Sequence, residues 1–165
     1  MDHEVEGFLE RMRSAVAAFE ARRPAVEARA PWTLSDVFGA EPEASWGPPE
    51  LTAHVAEMLP FWLGEIERVL AGAPEPVPFG RVSTDTLRIG VIGRDRSLPI
   101  RELFARVVAG TERYERRLPE LSPGDVGRRG IHPTLGEITV SGILERFVVG
   151  HLEDHVRQLE GILEA

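Results

Sequence analysis

The 165-residue sequence contains no cysteine. Disulfides, thiolate nucleophiles and cysteine-ligated zinc or iron–sulfur sites are therefore excluded, and any metal must be held by His, Asp or Glu. Lysine and asparagine are absent as well, so the 19 Lys-plus-Arg positions are all arginine. They are outnumbered by 27 acidic residues, which gives a formal net charge of −8. A chain with that balance lacks the broad basic face that displaces counterions from phosphate, so nucleic acid is not an expected partner. No apolar run approaches the length that spans a bilayer, so no membrane partner is expected either. The opening "MDHEVEG" is acidic and has no apolar signal core, which makes the cytoplasm the expected location.

What remains is the composition of a soluble globular protein, 42% hydrophobic and 28% charged. The length suits one domain over residues 1–165 with a core of its own. Four helical segments follow the 3.6-residue period. The first carries Val5, Phe8, Leu9, Met12, Val16 and Phe19 and ends before Pro24. In "WGPPE", Gly47 suits an N-cap and Pro48 the first position of a second helix that Gly72 closes. Trp46 and Leu51 are spaced for a hydrophobic staple, and Pro60 predicts a kink. A third helix is expected from about Pro99 to Leu118, and a fourth from near Thr139 to about Leu163. The expected fold is all-α, a four-helix bundle with long connections between helices one and two and between helices two and three. Trp32, Leu34, Val37 and Phe38 in the first connection predict a loop that packs back over the core. In the second, over 73–98, "TLRIGVIG" reads as a short strand or an irregular turn. "RRGIHPT" reads as a loop.

The fourth helix raises the functional question. His151 and His155 stand four apart, with Cβ atoms about 5–6 Å from each other on one face. They fall among Phe147, Val148, Leu159 and Ile162, inside the apolar stripe. An unpartnered imidazole pair in an apolar layer costs several kcal/mol, so polar partners or a metal must come from another helix. His54, on the edge of the second helix's stripe, supplies a third nitrogen. Three imidazoles with about 2.0–2.1 Å bonds make an open divalent-metal site, with positions left for water or substrate. The ion would be zinc or nickel, which imidazoles do not discriminate. Three unrelated core histidines are the competing reading. Glu57, one turn after His54, and Asp154, next to His155, are placed to accept a hydrogen bond from a ligand or to take a proton. Glu50 is a further candidate, and an exposed helix charge is the alternative for each. His3 reads as solvated. His132 reads as a structural or solvated residue that could rim the pocket.

"PPELTAHVAEM" with His54, "GHLEDHVRQLE" with His151 and His155, and the lead-in "RRGIHPTLGEITVSGILERF" resemble the DinB-like (DinB/YfiT) superfamily across essentially the whole chain. The resemblance implies a four-helix bundle whose metal is held by a His on helix two and His-x-x-x-His on helix four. It also implies a small-molecule substrate and thiol transfer with a low-molecular-weight thiol as co-substrate, or hydrolysis. Family members often pair, so a homodimer is expected. A non-catalytic stress-response or binding bundle with a structural, four-liganded metal is the alternative.

Overall fold

The computed structural model describes residues 2–38, 42–72 and 74–165. The long helices lie where the periodicity puts them. Helix α1 (His3–Ala21) starts at Asp2, whose carboxylate accepts the Glu4 N–H at 2.8 Å, and a short α2 (Arg23–Ala28) follows it. Pro24 occupies the first turn of α2, where its missing N–H costs nothing. Helix α3 (Pro48–Ala71) is the expected second helix, opening after an extended Gly47 and ending at Gly72. Helix α5 (Ile100–Arg117) is the third, and a single turn, α6 (Pro123–Val126), follows it. The fourth is composite: α7 (Val140–Ile143), a π-helical turn (Leu144–Val149) and α8 (Gly150–Glu164), capped by the Thr139 hydroxyl. α1, α3, α5 and α8 pack around one apolar core that includes Phe19, Met58, Phe104, Tyr114, Val148 and Leu159. Among the described residues no helix is long and apolar enough to cross a membrane.

Three features correct the expectation. The first is the 73–98 connection, in which "TLRIGVIG" is neither strand nor turn. It opens helix α4 (Thr86–Asp95), whose N-cap Asp85 accepts the Arg88 N–H at 2.9 Å. Ile89 and Ile92 bury against Trp46, Ala53 and Leu103 in a second, smaller cluster, and that tertiary packing outweighs the two glycines. The second is a small sheet. Strand β1 (Val77–Pro78) runs parallel to β2 (Arg129–His132), and β2 pairs antiparallel with β3 (Gly136–Thr139). The chain is therefore mostly helical, and "RRGIHPT" is not simply a loop. The third concerns the staple. Trp46 belongs to the second cluster and Leu51 to the main core, so helix entry is anchored by a separate patch. Of the apolar residues in the first connection, Val37 is buried and Trp32 packs against the core, whereas Leu34 and Phe38 face solvent.

Candidate metal centre

Helices α3 and α8 bring three imidazoles edge to edge. Nε2 of His151 lies 3.0 Å from Nε2 of His54 and 2.9 Å from Nε2 of His155. His54 and His155 are each only 3% exposed. At about 2.1 Å from a shared ion, nitrogens at right angles stand roughly 3.0 Å apart, and at the tetrahedral angle roughly 3.4 Å. Each of these two spacings fits a shared ion and lies nearer the right-angle arrangement.

The surroundings favour lone pairs at this point. Gln158 donates its amide Nε2 to the Glu43 carbonyl at 2.6 Å, which turns its Oε1 toward His155 Nδ1, 3.1 Å away. An oxygen there accepts a hydrogen bond from Nδ1–H, so the His155 Nε2 lone pair faces the cluster. Burial, followed by the neighbouring His155, holds His54 well below the usual imidazole range. Burial and then His151 push His155 down to about 3. His151 is lowered mainly by burial, with Glu43 pulling the other way. All three rings are thus neutral near pH 7, the form that ligates. His54 Nδ1 is buried without a hydrogen-bond partner, and the nearest carboxylate oxygen, Oε2 of Glu57, is 3.8 Å away.

A fourth donor comes from the turn Pro42–Ser45. The Glu43 carboxylate and the three ring nitrogens all lie within 4.8 Å of one another, a group that could hold a divalent ion. Arg88, itself 5% exposed, ion-pairs with Glu43 and donates to the Ser83 carbonyl at 2.8 Å. No periodicity or spacing in the sequence marks Glu43, because it sits in an irregular connection far from the histidines.

The family model described as the DinB superfamily matches residues 9–159. The chain belongs to the DinB superfamily. A search of curated proteins finds no match.

For this DinB-superfamily chain the remaining candidates separate by position. Glu57 is nearly buried and clamped by Arg81, with one contact at 2.7 Å. Asp154 faces solvent, paired with Arg157, and reaches the cluster only through its field on His151. Glu50 is fully buried one turn before His54. It accepts the Ser35 N–H at 2.7 Å and an Arg96 N–H at 3.3 Å, which ties the first connection to α3. His3 is exposed. His132 is buried and stacks on Phe147, ring centroids 5.1 Å apart, and Phe147 stacks on Trp62 at 4.4 Å.

A cavity of about 250 Å³ opens beside the cluster, bordered by His54, His151 and Glu43. Trp62 and Phe147 form an aromatic side, and Arg81, Arg88 and Arg146 also reach it. The π turn explains part of this lining. Its defining bond runs from the Gly150 N–H to the Glu145 carbonyl, and a Cβ at Gly150 would stand 2.6 Å from that oxygen. Only glycine fits there without moving the backbone. π turns recur at functional sites, where one extra residue re-aims side chains.

Proposed function

We propose that the chain is a metal-dependent enzyme that holds zinc or nickel through His54, His151 and His155 on a four-helix bundle of α1, α3, α5 and the α7–α8 composite. It would act on a small molecule by thiol transfer or hydrolysis. The observation that carries this reading is the convergence of three neutral Nε2 atoms, two of them on rings that line a cavity. A divalent ion supplies Lewis acidity, the property that lets a thiol or a water molecule lose its proton near neutral pH. A low-molecular-weight thiol as co-substrate would provide the sulfur nucleophile that this cysteine-free chain lacks. Gln158 fixes the His155 tautomer. Glu57, held by Arg81, is the carboxylate nearest His54 Nδ1, at 3.8 Å. Glu43, on the cavity wall, is the carboxylate best placed to take a proton from a bound molecule, a role that Asp154, exposed on the far side, is not placed to fill.

Metal content of the untagged protein tests the proposal. Close to one equivalent by elemental analysis is expected, and His151→Ala should lose it. Under about a tenth of an equivalent, with no uptake of added zinc or nickel, refutes the proposal.

Glu43 itself supports a second reading, a structural metal closed by four protein donors. Chelation separates the two. A structural ion takes much of the folding stability with it, whereas an ion in a preformed bundle leaves the helical circular-dichroism signal in place.

A further inference from the structure

The charge on the cavity wall does not match the charge of the chain. Arg88 is neutralised by Glu43 and Arg81 by Glu57. Arg146 also lines the cavity, is exposed, and has no carboxylate within 4.0 Å among the described residues. Among the described residues, then, Arg146 is a cation without a counter-charge at the edge of a pocket, in a molecule of formal charge −8.

The backbone puts Arg146 there. In a regular helix, five steps of about 100° would leave it roughly 140° around the axis from His151, away from the cluster. A π turn advances each residue by only about 80°, and three such steps bring the separation down to roughly 80°. The same unwinding sets Phe147 nearly in line with His151. The turn that requires Gly150 thus delivers a cation and an aromatic ring to one opening.

We propose that the pocket takes a small organic monoanion with an apolar body, its charged group held at the mouth by Arg146 and its body against Trp62 and Phe147. The identification of the substrate class rests on the metal-enzyme reading of the site. Guanidinium presents paired N–H donors that match a carboxylate, and among the described residues no side chain holds those of Arg146. The volume lies below the roughly 300 Å³ at which drug-sized ligands begin, so the anion is small.

Ligand-observed fluorine NMR on the metal-loaded protein tests this, with 4-fluorobenzoate as the anion and 4-fluorobenzamide as its neutral counterpart. Benzoate should bind about tenfold tighter than benzamide. Arg146→Gln should remove most of that difference without changing benzamide binding, and Arg146→Lys should keep part of it. Three results each overturn the proposal: equal affinity for the two probes, no benzoate binding up to about 10 mM, or a benzoate preference that survives Arg146→Gln. In the last case the anion is held elsewhere, by the ion for example. Elemental analysis of the same samples reports the metal separately, so failure of the anion assignment and failure of the metal reading are told apart. Arg146 is exposed, and its replacement leaves the core untouched.

Discussion

Replacing Gly150 with alanine sets two well-characterised effects against each other. On propensity alone, Gly→Ala inside a helix stabilises by about 1 kcal/mol. Here the added methyl would lie 2.6 Å from the Glu145 carbonyl oxygen, which is the acceptor of the Gly150 N–H. Overpacking of this kind costs about 1–3 kcal/mol. The net loss is then about 0–2 kcal/mol, which for a chain of this size lowers the thermal midpoint by up to about 8 °C. The larger effect falls on the site. The strain is relieved if the π turn closes to an α turn, which shifts helical phase by one residue, about 100°. His151 and His155 lie one and five residues downstream, and a rotation of even a fraction of that angle separates their nitrogens from His54. Metal affinity should therefore fall far more than stability. Gly161→Ala on the same helix is the control, because nothing lies within 4 Å of its Cβ position. That variant should gain up to about 1 kcal/mol and bind metal normally. Thermal circular dichroism and competitive metal titration of both variants give the comparison. If Gly150→Ala gained stability as Gly161→Ala does, and held metal as tightly as the parent, the π turn would not be what positions the histidines.

Other consequences are open to simpler measurements. Imidazoles in the unfolded chain take a proton near 6.5, whereas His54 and His155 resist one, His155 down to about 3. Between those values the unfolded state of the metal-free protein binds more protons, so stability is full above 6.5 and is lost as pH falls through this window. A thermal midpoint that stays level across that range contradicts the buried, neutral state of the rings. Gln158→Ala frees the His155 ring and should weaken metal binding about 10–100-fold with little change in helix content, whereas an unchanged titration would remove Gln158 from the site.

The convergence of His54, His151 and His155 was legible because α-helical period decides which side chains share a face, and the three rings sit on α3 and α8. The features that were not legible all break a period. Helix α4 carries Gly90, Gly93 and β-branched residues, and forms because Ile89 and Ile92 find the patch around Trp46 and Leu103. Strand β2 hides its alternation by inverting it. Gly130 and His132 face inward while Ile131 is 42% exposed. Gly130 is inside because a Cβ would meet Phe79 and Val69 at 2.5 and 2.6 Å. Arg146 lies on the wrong face of any α-helix drawn through His151, and only the π turn turns it toward the cavity. Glu43 arrives from an irregular turn held by Arg88 and Gln158, partners 45 and 115 residues away in sequence.

The small sheet has a wider consequence. The pairing of β1 with β2 continues through the Phe79 N–H to the Ile131 carbonyl at 3.1 Å, and Arg81, Val82 and Ser83 on the cavity wall follow directly. His132, at the end of β2, braces Phe147 from behind. The three imidazoles hang from helices, while one part of the cavity wall, Arg81, Val82 and Ser83, hangs from the segment leaving the sheet. That segment is held by its pairing with β2 and tied to α3 through Arg81 to Glu57 and the Gly80 N–H to Glu65. Substitutions at Val82 and Ser83 can therefore reshape what the cavity admits while the nitrogen triangle stays as it is, so that one histidine frame can face different ligands.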